Sequence, residues 1–240
     1  MKAFRVLMRL LAVLLFSLSA LGGAALFITA NWADVESILY GFPRYGNKST
    51  FAMHCPLVIT TAETGQVTFT FENDSDVLLR PTVRFQVSNP GPFRLISERL
   101  ELQPGESRQL QVEVYPNDAV LNRYIFVKMY TFATYPVRQV EQTCGILLLD
   151  LPGLTGGQVV AVGVAVALLG MPLGLGLWML FNRPLAGRSL DAARAMGVLT
   201  VSIWLGLLAV FLAWWLLGLV LTAVTILLIG AILANLLQTH

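Results

Sequence analysis

The sequence has little charge and almost no histidine, and both shortages narrow what the protein can be. Charged residues make up 12% of its 240 residues, whereas hydrophobic residues make up 56%. A soluble globular domain needs more charge than this to cover its surface, so an ordinary soluble protein is excluded. The two histidines, His54 and His240, are too few for a multi-histidine metal centre and are placed poorly for activating a nucleophile.

Sequence patterns that carry catalysis or nucleic-acid binding are also missing. We find no paired carboxylates in an apolar setting, no clustered zinc ligands and no glycine loop suited to phosphate. The glycine-rich run 170–176 lies inside an apolar segment, where it cannot hold a phosphate. The net charge of +2 reflects basic residues that flank apolar runs, not a basic surface. We therefore expect no enzymatic activity, no cofactor and no nucleic-acid partner.

Long apolar runs are what the sequence has instead. The first, Leu10 to Ala30, follows three basic residues and is about 20 residues long, enough for a helix to cross a hydrocarbon core of about 30 Å. We predict an N-terminal transmembrane anchor in residues 1–30. Small residues between Ser17 and Ala25 are typical of a signal-peptidase site, which leaves a removed signal peptide as the alternative. The apolar stretch of a signal peptide is usually about 7 to 15 residues long. This run is longer, which favours an anchor that stays in the mature protein.

The C-terminal part contains three further apolar runs. The uncharged stretch 195–237 is too long for one helix of ordinary tilt, so we divide it near Trp214–Gly218. The predicted helices are 157–181, 195–216 and 218–237. Residues 182–194 contain three arginines and one acid, and the positive-inside rule makes this loop cytoplasmic. We predict a plasma-membrane protein with both termini in the cytoplasm and residues 31–150 exported.

The exported region has the periodicity of β-strands. Between Pro56 and Leu149 apolar and polar residues alternate, with turn residues at regular intervals. The clearest strands are Val67–Phe71, Val83–Val87 and Leu110–Val114. About seven strands in about 100 residues are typical of an immunoglobulin-like β-sandwich, and a small open barrel is the competing fold. The predicted fold is a multi-pass membrane protein with four transmembrane α-helices and an exported all-β sandwich, residues 55–150, inserted between helices 1 and 2.

One hairpin resembles known proteins. The segment Leu102–Arg108 (LQPGESR), followed by alternating Leu110, Val112 and Val114, is similar to a hairpin of bacterial immunoglobulin-like domains and of the PapD/MSP-like group. The resemblance covers this segment only. It implies a β-sandwich and nothing about activity, because many unrelated sandwiches share such a turn.

The two cysteines, Cys55 and Cys144, both lie in the exported region. An oxidising compartment and an even count predict a disulfide between them, which would stabilise the domain by roughly 4 kcal/mol. The alternative is a Cu(I) site in which Met53, His54 and Met129 join the cysteines. In an extended strand residues 53 and 55 share a face, whereas His54 points away. We expect the disulfide and no metal site.

The exported region also contains two sequons and an aromatic segment. Asn47 and Asn73 each begin an Asn-X-Ser pattern and are candidate glycosylation sites. Residues 31–54 contain aromatic residues scattered among glycine and proline. We predict a membrane-proximal segment that either lies on the membrane interface or covers the underside of the sandwich.

Small residues recur four positions apart in the last three predicted spans, and such spacing lets helices pack closely. The pairs are Gly170 and Gly174, Ala209 and Ala213, and Gly230 and Ala234. The span interiors contain no Asp, Glu, Lys, Arg or His, which argues against active transport by this chain alone.

These features predict a non-enzymatic accessory or scaffold subunit of a larger membrane complex. Its helices would contact other integral membrane proteins and the lipid bilayer, and its sandwich would contact proteins outside. An independent cell-surface receptor or adhesion module is the alternative, although an anchor needs only one span. A third hypothesis is extracytoplasmic copper or redox handling by Met53, Cys55, Met129 and Cys144.

Overall fold

A computed structural model of the chain describes residues 2–42, 51–132 and 140–238. The chain divides into two compact units. The first unit combines the residues up to Asn31 with those from Val160 onward, and the second runs from Trp32 to Val159.

The described residues contain four α-helices. They are α1 (Lys2–Leu39), α2 (Gly156–Phe181), α3 (Arg188–Phe211) and α4 (Trp215–Gln238). Helices α1, α2 and α3 are long and apolar enough to cross a membrane, and the shorter apolar part of α4 is Trp215–Ala231. Length and composition therefore support the predicted membrane association for three helices.

The core of the first unit depends on α1. One cluster of buried side chains joins α1, α2 and α3, and α1 contributes nearly half of it: Phe16, Ala20, Ala24, Phe27, Ala167, Met171, Leu199, Ile203 and Leu207. Phe27 is completely buried. The stretch Ser17–Ala25, where the alternative of a removed signal peptide places the cleavage site, contributes Ala20 and Ala24 to this cluster.

Several helix boundaries differ from the sequence predictions. Helix α1 continues past residue 30 to Leu39 because the first helix-breaking residue after it is Gly41, whose φ is +94°. Helix α3 begins at Arg188, directly after Gly187, and ends at Phe211. The turn before α4 is therefore earlier than predicted, and Ala213 lies in it with a φ of +52°.

The second unit contains two β-sheets. Its strands are β1 (Phe51–His54), β2 (Val58–Thr60), β3 (Gly65–Glu72), β4 (Thr82–Val87), β5 (Arg94–Arg99), β6 (Ser107–Val114), β7 (Tyr124–Thr131) and β8 (Glu141–Leu149). One sheet has the order β1-β3-β6 and the other β2-β8-β7-β4-β5. All pairings are antiparallel except β2 with β8. Neither sheet is closed, which does not support the barrel alternative.

Both sheets contribute to one hydrophobic core. The predicted strands at β3, β4 and β6 are confirmed, and their alternate residues are buried as the period of two requires. Val67, Phe69 and Phe85 are completely buried in this core. The described strands number eight and not seven, because β1 and β2 are too short to show a periodic pattern.

The predicted disulfide between Cys55 and Cys144 is present. Cys55 follows β1 directly, and Cys144 lies in β8 of the other sheet, so the bond links the two sheets. Its cysteines are 89 positions apart, which makes the closed loop long.

We expect replacement of both cysteines by serine to lower the free energy of unfolding of the second unit by about 4 kcal/mol, since an open chain gains loop entropy. Met53→Leu is the matched control, because it removes the thioether of the copper hypothesis while keeping an apolar side chain of similar size, and it should cost less than about 1.5 kcal/mol. Urea unfolding measures both. A larger loss in Met53→Leu than in the double serine variant would contradict the structural role of the disulfide.

Candidate interaction surface

The last two turns of α1 lie on strand β8 within the second unit. Asp34 accepts a hydrogen bond from the Gly145 backbone N–H at 3.1 Å, and the hydroxyls of Ser37 and Thr143 are 3.0 Å apart. Both hydroxyl residues are buried. Gly145 allows this close approach, because a Cβ there would overlap the backbone carbonyl of Ala33. The end of α1 is therefore an integral part of this unit.

Aromatic rings continue this contact beyond the helix. The Tyr40 and Phe126 ring centres are 5.0 Å apart, and those of Phe42 and Phe93 are 5.5 Å apart. Phe42 is only 2% exposed. Within residues 31–42 and 51–54, the part of the predicted aromatic segment that is described, the covering role fits better than a free interfacial strip.

Asn73, the second candidate glycosylation site, lies in a hydrogen-bonded turn. Its side chain is completely buried, and its amide nitrogen donates to the carbonyls of Val77, Leu102 and Gln103. Its amide oxygen accepts from Ser75. Glycosylation at Asn73 stays a prediction, and a glycan there would occupy the nitrogen that makes these bonds. Asn47 lies outside the described residues.

The side chains of the copper hypothesis are not arranged as a metal site. The sulfurs of Cys55 and Cys144 are joined to each other, so neither is available as a thiolate. Met129 is completely buried in the core, and His54 is exposed on the opposite face from Met53. Among the described residues no group of three or more His, Cys, Asp or Glu side chains is suited to a metal.

A partly buried ion pair connects the two sheets near one end. Arg94 of β5 donates through Nη2 to Asp118 Oδ2 at 2.7 Å and to the backbone carbonyl of Glu113 in β6 at 2.6 Å. The same carboxylate oxygen accepts from the Tyr115 backbone N–H. Asp118 is almost fully buried, whereas the Arg94 side chain is 30% exposed. The pair closes the end of the core beside β6.

Tyr115 lies at the surface beside this pair. Its phenol donates a hydrogen bond to the Glu113 carboxylate. That hydrogen bond, together with the negative charge of Glu113, raises the pKa of Tyr115 above its ordinary value. Because a raised folded-state pKa favours the neutral phenol, this contribution to stability is present at neutral pH and is lost as the pH rises through that pKa.

We expect Asp118→Asn to lower the free energy of unfolding by about 2–3 kcal/mol, because it removes the partner of a partly buried arginine. Arg80→Gln is the control: its pair with Glu101 has both side chains 57% exposed and should matter by less than about 1 kcal/mol. Chemical denaturation measures both variants. Equal losses of unfolding free energy in the two variants would show that the partly buried Arg94–Asp118 pair stabilises the fold no more than the exposed Arg80–Glu101 pair.

The predicted packing pair Gly170 and Gly174 lies at the contact between α1 and α2. A Cβ at Gly170 would overlap the hydroxyl of Ser19, and one at Gly174 would come within 2.8 Å of Phe16. The structure therefore uses this pair inside the chain and not on an outer face.

The other two predicted pairs are not arranged as continuous packing faces. Ala209 is buried in α3, but Ala213 is exposed in the turn that follows, so these two do not share a helix face. Nothing lies within 4 Å of a Cβ built at Gly230, and the side chain of Ala234 lies outside the described part of α4.

Comparison with known proteins identifies no family. No family model and no curated protein matches the chain. A β-glucosidase from Listeria innocua in complex with glucose matches at 14% identity and a TM-score of 0.30, over 45% of this chain and 17% of that one. The CARDB domain of a Pyrococcus furiosus protein in complex with di-metal ions matches at 13% and 0.34, over 42% and 86%. The Pseudomonas fluorescens DNA glycosylase AlkC matches at 14% and 0.32, over 41% and 30%. This chain spans less than a fifth of the glucosidase, and likenesses this weak carry no argument about function.

Proposed function

We propose that the protein is a non-enzymatic accessory or scaffold subunit of a larger membrane complex. In this proposal four helices cross the plasma membrane. An immunoglobulin-like sandwich, together with the end of α1 that packs on β8, makes protein contacts outside. Both termini are cytoplasmic. The helices face lipid and other integral membrane proteins.

The observation that carries the proposal is that polar side chains of the second unit hydrogen bond within the unit itself. Its best-formed polar contacts hold backbone and strands together, as at Asn73, at Asp118 and at Asp34. Lys128 and Glu141 likewise pair at 2.9 Å with each side chain 14% exposed. Groups bound in this way give a rigid body with a preformed surface, which is what a scaffold needs.

The outer faces of the helices support the same proposal. Large apolar side chains on α2 and α3, such as Leu169, Leu173 and Leu208, are more than half exposed. An apolar environment must cover them, and lipid or a neighbouring helix provides it. The uncharged span interiors offer no ionisable group for a transport pathway.

The topology is tested by two single-cysteine variants. The native cysteines form a disulfide, so an introduced cysteine is the reactive thiol. Leu121→Cys lies in the second unit, and Ala186→Cys lies between α2 and α3; both positions are exposed. We expect an impermeant maleimide added to intact cells to label only residue 121. Labelling of residue 186 alone would show that the orientation is reversed.

The subunit role itself is tested by isolating the tagged full chain from its native membranes in mild detergent. We expect the same partner polypeptides at constant stoichiometry in independent preparations. If the chain is instead an independent receptor, it will be recovered without constant membrane partners, and ligands of the sandwich loops become the question.

A further inference from the structure

Strand β6 forms one edge of the three-stranded sheet and is unusually well suited to accept another strand. It is eight residues long, contains neither proline nor glycine, and pairs without interruption with β3 from Gly65↔Val114 to Glu72↔Ser107. The other sheet edges are shorter: β1 has four residues, β2 has three and β5 has six. Proteins usually protect long edges such as β6.

The hydrogen bonds around β6 show which of its backbone groups face outward. Along a strand, backbone groups of successive residues point alternately to the two sides. The carbonyl of Glu106, just before β6, accepts from Asn73 N–H on the β3 side, whereas the carbonyl of Glu113 accepts from Arg94. Odd-numbered residues therefore direct their N–H and C=O groups to the open edge. These include Gln109 and Gln111 in the centre of the strand.

The centre of this edge has no neighbour in the described structure. Arg94 occupies the carbonyl of Glu113 at one end, and no described group bonds to the backbone of Gln109 or Gln111 on the outer side. The side chains of both glutamines are exposed, and those of Leu110 and Val112 are buried. The edge therefore combines unpaired backbone groups with an intact alternation of apolar and polar faces.

We propose that the β6 edge binds an extended strand of a protein partner, which becomes the fourth strand of the small sheet. The backbone groups of Gln109 and Gln111 would hydrogen bond to that strand. Side chains opposite one another in a sheet share a face, so the bound strand alternates apolar residues beside Leu110 with polar residues beside the glutamines. This inference rests on the proposed subunit function and names its contact surface.

The charges along β6 indicate which charged residues the partner strand carries. Arg108, near the start of β6, is exposed and has no ion pair with a described residue, whereas Glu113 at the other end already binds the Tyr115 hydroxyl. An acidic side chain on the partner strand would pair with Arg108. The partner segment is therefore extended, alternating and acidic at the end next to Arg108.

Hydrogen exchange of the full chain tests the inference directly. The measurement compares the assembly isolated from native membranes with the chain separated from its partners. We expect the amides of Gln109 and Gln111 to exchange at least about tenfold more slowly in the assembly, while those of Leu110 and Val112, which face β3, change little. An intact assembly with equally fast exchange at both glutamines in the two samples would overturn this inference and leave the subunit role standing.

Gln111→Pro gives a second, independent readout. Proline removes the outward N–H, and at an edge position it leaves the ladder to β3 in place. We expect the strand-donating partner to be lost from this variant and retained by Gln111→Thr, which keeps the N–H. Slow exchange at Leu110 and Val112 verifies that the proline variant folds.

Two other outcomes would also overturn the inference. Retention of every partner by a folded Gln111→Pro variant would exclude strand addition at this edge. Crosslinks from residue 111 to a second copy of the same chain would exclude a different protein as the donor. A chain that is recovered alone would contradict the subunit function itself, so the two failures are distinguishable.

Discussion

Gly170→Val will disrupt the helical unit. At this position a Cβ overlaps the Ser19 hydroxyl, so a valine side chain forces α2 away from α1. The displaced contact adjoins the cluster of Phe16, Ala20 and Met171, which depends on the same close approach. We expect the free energy of unfolding in detergent to fall by at least about 2–3 kcal/mol, and the yield of monodisperse protein to fall with it.

Gly176→Val provides the matched control in the same helix. A Cβ at Gly176 meets nothing within 4 Å, so the substitution adds the same atoms without a collision. We expect its free energy of unfolding in detergent to differ from that of the unmodified chain by less than about 0.5 kcal/mol. If both variants were equally stable, α1 and α2 would not be in contact at Gly170.

Gly145→Ala will release the end of α1 from β8. The added Cβ overlaps the carbonyl carbon and oxygen of Ala33, and backbone atoms cannot turn aside as a side chain can. Separation would break the hydrogen bond from Gly145 N–H to Asp34 and expose the Ser37 hydroxyl. We expect a loss of about 2–4 kcal/mol in the stability of β8, measured from the exchange of its amides.

The control for this variant is Gly91→Ala. Gly91 lies in a turn of the same unit, where the nearest atom to an added Cβ is Asn89 Oδ1 at 3.7 Å. It should be neutral to within about 0.5 kcal/mol. Unchanged exchange in β8 of Gly145→Ala would mean that the helix end is not docked on this strand.

Local sequence pattern was sufficient to predict the elements that have a regular hydrophobic period. The alternation in Val67–Phe71 predicts β3 because each buried residue follows an exposed one, and the structure confirms it. The apolar run at residues 157–181 predicts α2 almost to the residue. Compartment and cysteine count were enough to predict the Cys55–Cys144 bond.

The rest depends on partners that are distant in sequence. Asp34 and Ser37 look like solvent-exposed residues of a segment after the span, but their partners lie in β8, more than 100 positions away. In the sequence Asn73 can be recognised only as a sequon. Its hydrogen bonds to the carbonyls of Leu102 and Gln103 depend on a segment that is distant in sequence. Pairing between distant segments is what local periodicity does not contain.

The β6 edge shows the same difference between local pattern and distant contacts. The alternation of β6 is readable from Leu110 and Val112, so its two faces could be predicted. That β6 is an edge strand, and that Arg94 covers only its end, depends on the strand order and on a contact between sheets.

The most direct test of the proposed function is the mass of the intact native assembly, released gently from its own membrane. We expect the mass of this chain, including its N-terminal helix, together with other polypeptides in constant stoichiometry. Recovery of the chain by itself, as one copy or as several copies without another protein, would contradict its role as a subunit of a larger complex.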